Sequence, residues 1–227
     1  MRRLFACLVI VSLLGVSVAP SVWARTPATF QDQSACRVVS VQDGDTVRLA
    51  DGHFVRLAGV DAPERDPEQF GARRAAQRVR ELLEASDWQV RLEVVGKDRY
   101  GRYVADLRLK DGRSVCETLL LEGLVLFYWH KGLPERLSRR LLAAQREALR
   151  QRAGNWSAIL ALPMADEPVI GNRKSRRFFP QHCQDSNKIS VRNRQPLASL
   201  EEALAQGFSP ARQCGVWPLQ VEMQGRR

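Results

Sequence analysis

The stretch that decides the fold is DGDTVRLADGHFVRLAGVDAPE, running from Asp43 to Glu64. Two short β-prone runs, TVRLA and HFVRLAGV, flank Asp51-Gly52, a strong hairpin signal. Five carboxylates fall within these twenty-two residues, although the chain as a whole carries a net charge of +10. Most of them gather at the two ends of the hairpin, with Arg56 between. With Asp51-Gly52 as a two-residue turn, Ala50 faces His53, Asp45 faces Ala58, and Asp61 lies just beyond. Strand positions two apart point the same way, so this register gives Arg56 and Asp45 one face. A bulge would change that parity.

Outward from the hairpin the pattern stays strand-like. CRVVSV precedes it, and WQVRLEVV and YVADLRL follow. Helical spacing appears in EQFGARRAAQRVRELLEA, where Ala75, Val79 and Leu82/Leu83 recur on one face. CETLLLEGL predicts a short apolar helix ending at Gly123. PERLSRRLLAAQREALRQRAG predicts a longer one, with Pro134 and Glu135 in its first turn and Gly154 past its end. Three strands, a helix, two strands and then helices suit a mainly β class with α. The expected architecture is a five-stranded OB-fold barrel plus three helices.

The ends of the chain have a different character. MRRLFACLVIVSLLGVSVAPSVWA sets two arginines before an apolar run and small residues before a cut after Ala24, which predicts a signal peptide over 1–24. Its removal lowers the net charge by two, to +8, and implies a secreted or periplasmic protein. No second apolar stretch is long enough to span a membrane. The barrel domain is expected over 36–156, a linker over 157–168, and a small basic α+β C-terminal module over 169–218. From Val169 onward ten Lys/Arg stand against four Asp/Glu. That excess suggests an anchor on a polyanion, outside any reaction centre. Four cysteines remain after the leader, with no CxxC pair among them. Cys183 and Cys214 flank the module's helix and are expected to close it as a disulfide, since so few apolar residues make a small core. Cys36 and Cys116 are a second candidate pair, left open.

The two acidic clusters carry the chemistry. Carboxylates converging at a strand end form a hard oxygen site suited to Ca²⁺ or Mg²⁺. Taken singly, an Asp-Gly pair is more often just a turn. Asp61-Ala-Pro-Glu64 resists that reading, because it follows an apolar strand end. A guanidinium such as Arg56 offers a planar fork to a phosphodiester, and KDRYGR, Lys97 to Arg102, holds another.

Asp43-Gly-Asp45-Thr-Val, Val55-Arg56-Leu through Asp61-Ala-Pro-Glu64, Asp98-Arg-Tyr-Gly-Arg102, Leu121-Glu-Gly123-Leu and Asn155-Trp156 together resemble the staphylococcal nuclease (thermonuclease) family. The resemblance covers about 36–156. It implies an OB barrel with three helices and Ca²⁺-dependent cleavage of DNA and RNA between phosphorus and the 5′ oxygen. By position, Asp45 and Asp61 would bind Ca²⁺ through their carboxylates, and Ala62 through its backbone carbonyl. Glu64 would be the general base or would orient the attacking water. Arg56 and Arg102 would clamp the phosphate. Tyr100, with Arg99 beside it, matches a substrate-contacting position. Trp129 falls where the family has an aromatic for base stacking, or else packs beneath the last helix. Ala62 departs from the Thr of the family's best-known member, at a position where only a carbonyl is needed. Residues 169–214 faintly resemble small modules related to an alkylation-repair zinc domain, but keep only Cys183 and Cys214 of four cysteines.

Two other readings compete with a nuclease. One is a non-catalytic OB-fold module that binds nucleic acid or another polyanion. The other is a surface protein with a basic tail. The joint presence of Asp45, Arg56, Asp61, Glu64 and Arg102 argues for the nuclease.

Overall fold

A computed structural model describes residues 35–65 and 69–214. The expected signal peptide, 1–24, and the last four residues of the expected module lie outside the described residues.

Five strands close a barrel: β1 (Cys36–Val41), β2 (Thr46–Leu49), β3 (Phe54–Leu57), β5 (Gln89–Lys97) and β6 (Tyr103–Arg108), in the order β1-β2-β3-β6-β5. Two short pieces intervene along the chain, β4 (Val60–Asp61) and helix α1 (Ala72–Glu84). β3 and β6 run parallel, and β1 closes on β5 antiparallel. Alternation explains the barrel. Val47, Leu49, Val55 and Leu57 turn inward and are buried with Val38, Leu92 and Leu107, while Arg48 and Phe54 stay exposed. This is the OB-type barrel expected from the strand order.

The hairpin register differs from the expected one by a residue. Thr46 pairs with Arg56 and Val47 with Val55, and the Leu49 N–H donates to the His53 carbonyl at 2.9 Å. The turn therefore has three residues, Ala50 to Gly52, with Gly52 at φ 90°. Asp51 helps to close it by accepting from the His53 N–H at 3.0 Å. Asp45 consequently stands opposite Leu57, whose N–H donates to its carbonyl, and not opposite Ala58.

Helices pack where the periodicity put them. α1 buries Ala72, Ala75, Ala76, Val79, Leu82 and Leu83 on one stripe. α2 (Val115–Leu121) starts at Ser114, whose hydroxyl accepts from the Glu117 N–H. β7 (Leu126–Phe127) pairs with β4, and α3 (Glu135–Arg150) buries Leu137, Leu141, Ala144 and Ala148. A fourth, short helix, α4 (Trp156–Ile159), follows.

The C-terminal module is a four-stranded sheet in the order β10-β8-β9-β11, made from β8 (Val169–Asn172), β9 (Arg177–Pro180), β10 (Arg194–Leu197) and β11 (Ser209–Pro210). Helix α5 (Leu200–Ala205) joins the last two. The module shares a core with the barrel domain: Leu126, Ala148, Leu149, Trp156 and Ile159 pack with Phe178, Leu197, Leu204 and Phe208. Buried Gln145 fastens the joint. Its carbonyl accepts from the Phe127 N–H at 2.7 Å and its amide donates to the Leu204 carbonyl at 2.8 Å.

Cys183 and Cys214 form the expected disulfide. Cys36 and Cys116 are not joined. Cys36 opens β1 opposite Val90, whereas Cys116 is fully buried on the core side of α2. Burial, with Asp106 beside it, pushes the Cys116 thiol well above its ordinary range.

Candidate active site

Three local features bring the acids together. Asp43 accepts from the Asp45 N–H at 2.9 Å, so the first Asp-Gly is a turn that presents Asp45 just ahead of β2. Gly44 lets this turn sit against α1, because a Cβ there would lie 2.7 Å from both Ala62 Cβ and Ala75 Cβ. β4 pairs Asp61 with Leu126, which fixes the second acid, and the Ala62 N–H donates to Asp45 Oδ2 at 2.7 Å.

Arg56 lies between the two acids. Its Nη1 is ion-paired with Asp45 Oδ2, and its Nη2 donates to Asp61 Oδ1 at 2.8 Å. The shifted register does not prevent this, because Asp45 precedes the strand and escapes its alternation. Burial works against the Arg56 charge, but Asp45, Asp61 and Asp43 outweigh it and hold the guanidinium firmly protonated. Asp45 is the strained partner. Burial outweighs Arg56, and with Asp43 and Asp61 nearby its carboxyl is pushed up to about 7.

Glu64 is half exposed at the rim, and its N–H donates to the Gln69 side chain at 2.8 Å. Arg102 immediately precedes the neighbouring strand β6, whose Val104 pairs with Arg56. There its Nε donates to Asp98 Oδ2 at 2.7 Å. Arg99 and Tyr100 form the tip of that hairpin, with the Arg99 guanidinium 4.8 Å above the exposed Tyr100 ring. The structure thus brings Asp45, Arg56, Asp61, Ala62 and Glu64 together. Arg102, Arg99 and Tyr100 occupy the adjoining hairpin.

Trp129 packs against the barrel core, and its carbonyl accepts from Arg177. The aromatic beside the module's cations is instead its neighbour Tyr128, with the Arg177 guanidinium 3.8 Å over its ring. One further site residue escaped the sequence reading. Arg212 of the C-terminal module donates to Asp61 Oδ1 at 2.8 Å and lies 3.2 Å from Glu64 Oε1. Asp61 and Glu64 keep it charged against partial burial. Only its nearness to Cys214 set it apart in the sequence.

The donor set fits a hard divalent cation. Asp45 and Asp61 share one guanidinium, with Asp43 and Glu64 close by, so acids outnumber the arginines that face them. Among the described residues no three His, Cys, Asp or Glu side chains converge as a cage. The described protein groups at this point are the two carboxylates, with the Ala62 backbone tied to Asp45 through its N–H, so further coordination would fall to water and substrate oxygens. A groove of about 590 Å³ is lined by Arg65, which follows Glu64 in the chain, and by Arg73, Arg74 and Arg80 of α1.

A closed five-stranded barrel with helices, carrying bridged carboxylates at a strand end, defines an OB-fold of the nuclease type. Residues 54–158 match the family described as staphylococcal nuclease homologue. The match spans Arg56, Asp61, Glu64 and Arg102, and stops short of Arg212. A protein of Escherichia coli O157:H7 named "Uncharacterized endonuclease" is 30% identical over 124 residues, 53% of this chain and 76% of that one. A Haemophilus influenzae protein of the same name is 40% identical over 84 residues, 34% of this chain and 44% of that one. The succinoglycan biosynthesis protein ExoI of Rhizobium meliloti is 37% identical over 92 residues, 37% and 47% of the two chains. The chain belongs to the staphylococcal nuclease family.

Proposed function

We propose that this protein is an exported, Ca²⁺-dependent endonuclease that hydrolyses phosphodiester bonds of DNA and/or RNA. The observation that carries the reading is the Arg56 guanidinium held between Asp45 and Asp61, with Glu64 at the open rim. A purely binding OB module has no need of a buried arginine between two carboxylates. The Cys183–Cys214 disulfide supports an oxidising compartment, as does the leader-like N-terminal sequence.

Asp45, Asp61 and the Ala62 carbonyl would hold the Ca²⁺. The bound ion would supply positive charge against the phosphate oxygens and raise the acidity of a nearby water. Arg56 spends part of its five-donor fork on the two acids and has donors left for a phosphate oxygen. Arg102, just ahead of the neighbouring strand β6, grips the same phosphate. Glu64 orients the attacking water and takes its proton. The water oxygen bonds to phosphorus, the P–O5′ bond breaks, and its electron pair leaves with the 5′ oxygen. Charge that builds on the phosphoryl oxygens is met by the two guanidiniums. The arginine-lined groove that begins at Arg65 would offer the rest of the strand a path, its phosphates facing Arg65, Arg74 and Arg80.

The test is cleavage of end-labelled single-stranded and duplex DNA, and of RNA, by the full chain with Ca²⁺ and with a chelator. Cleavage that needs Ca²⁺ is expected. Full activity in chelator, or strict dependence on zinc, would overturn the metal assignment. No cleavage of any of the three would overturn the function.

A further inference from the structure

The C-terminal module ends inside the candidate site. β11 pairs in parallel with β9, and the Ala211 N–H donates to the Phe178 carbonyl at 2.9 Å. A single helical turn, Arg212–Cys214, follows and is tied by the disulfide to Cys183. The backbone that carries Arg212 is thus fastened on both sides, by a strand pairing before it and a covalent link two residues after it. From there the side chain reaches Asp61 and Glu64, 151 residues back in the chain in the first case.

Stability does not account for this placement. The Arg212 side chain is 65% exposed, against 18% for Arg56. Asp61 already has Arg56 as its inner partner, and a second guanidinium so open to water adds little to that pair. Its effect is to set a second guanidinium on the open side of the same two acids. Asp43, Asp45, Asp61 and Glu64 face two arginines here, Arg56 and Arg212. A divalent cation would balance that excess of acid, and each carboxylate it engages would loosen its hold on Arg212. The fork would then be left at the rim, where a phosphate must enter. A fixed backbone with a long exposed side chain suits this exchange of partners better than it suits a plug, which must swing away.

We propose that Arg212 is a phosphate-contacting residue of the same site, so that the C-terminal module forms part of the reaction centre. This rests on the phosphodiesterase reading and names a residue that the matched family segment does not contain. Arg212 would hold the non-bridging oxygens of the substrate phosphate opposite Arg56, with the disulfide keeping it within reach.

The test uses the full chain as wild type, Arg212→Ala, Arg212→Lys and, as a charge control, Arg113→Ala, whose arginine is ion-paired with Asp111 in a distant turn. Binding of a fluorescent ten-nucleotide single-stranded DNA, with each bridging 5′ oxygen replaced by an uncleavable methylene, is followed by anisotropy with Ca²⁺ across a salt series. Cleavage of the unmodified oligonucleotide is then measured with Ca²⁺. Arg212→Ala should lower the slope of log K against log salt by about 0.7, the loss of one phosphate contact on a single strand. It should also lower kcat/KM by on the order of 10²-fold. Arg212→Lys should restore the slope but not the full rate, since it keeps the charge and loses the fork. The double variant Cys183→Ser/Cys214→Ser, checked for folding by circular dichroism, should raise KM with Arg212 still present. Unchanged slope and rate in Arg212→Ala, or equal losses in Arg113→Ala, would reduce Arg212 to a surface ion pair. Faster cleavage by Arg212→Ala would make it a plug and overturn the proposal. A slope change without any cleavage by the wild type would keep Arg212 as a phosphate contact and reject hydrolysis instead.

Discussion

Arg56 and Arg212 donate to the same oxygen, Asp61 Oδ1, each at 2.8 Å. One arrives from the third strand of the barrel and the other from the far end of the C-terminal module. Asp61 is therefore a point at which the two parts of the chain meet.

Arg56→Lys keeps the charge but cannot span both acids. Its turnover should fall by on the order of 10²–10³-fold, as for the loss of an aimed electrostatic stabiliser. Arg56→Ala removes the bridge altogether and leaves two buried carboxylates side by side. It should lower stability by about 3–5 kcal/mol in chelator, with added Ca²⁺ recovering part of that. Denaturant melts with and without Ca²⁺ check this. A variant as stable as the wild type in chelator would contradict the ion pairing.

Gly44→Ala should be costly out of proportion to one methyl group. The added Cβ meets Ala62 and Ala75 at 2.7 Å, so the turn must lift off α1. Overpacking of this kind costs about 1–3 kcal/mol. Asp45 should shift with the turn, so Ca²⁺ affinity measured by calorimetry should weaken too. A fully stable variant with unchanged Ca²⁺ affinity would show that the contact yields freely.

The barrel was legible in the sequence because its signals are local. Alternation in TVRL and FVRL, the helical stripe of Ala75, Val79 and Leu82, and three Asp-Gly turns each act within a few residues. The clustering of Asp45, Arg56 and Asp61 was legible as well, although the hairpin register was not. A two-residue and a three-residue turn on Asp-Gly differ only in whether Ala50 joins the loop, and nothing in its side chain decides that. Arg212 was hidden for another reason. The link between Arg212 and Asp61 depends on how the module's helix α5 and the Phe208 after it pack on the barrel domain, through Gln145 of α3. No periodicity records that packing. The excess of Lys/Arg in the module suggested a detached anchor, when one of those arginines reaches the site.

Gln145→Leu tests the joint itself. The variant leaves the Phe127 N–H and the Leu204 carbonyl without their present partner inside a dry interface. Each orphaned group costs about 1–3 kcal/mol. The module should become the first part to be cut under limited proteolysis, while the barrel persists. Proteolysis identical to the wild type would argue that the shared apolar core carries the joint unaided.

His130 should make the protein acid-sensitive. Burial, with Arg177 and then Arg56 nearby, holds its imidazole below the ordinary 6.5. The unfolded chain therefore binds a proton that the folded chain refuses. This contribution costs nothing above 6.5 and grows as the pH falls through 6.5 toward the depressed folded value. His130→Gln should lose less stability than the wild type between about pH 7.5 and about pH 5.5. Parallel stability curves for the two proteins would contradict it.

Glu64 is proposed to act on a phosphodiester held by the Asp45–Arg56–Asp61 cluster. The most direct measurement is single-turnover cleavage of a labelled oligonucleotide by the wild type and Glu64→Gln at saturating Ca²⁺, with Ca²⁺ affinity determined on the same samples. The rate should be lower by on the order of 10²–10⁴-fold in Glu64→Gln, the usual range for losing a general base, with Ca²⁺ affinity nearly unchanged. Equal rates in the two proteins, or no cleavage by the wild type, would contradict it.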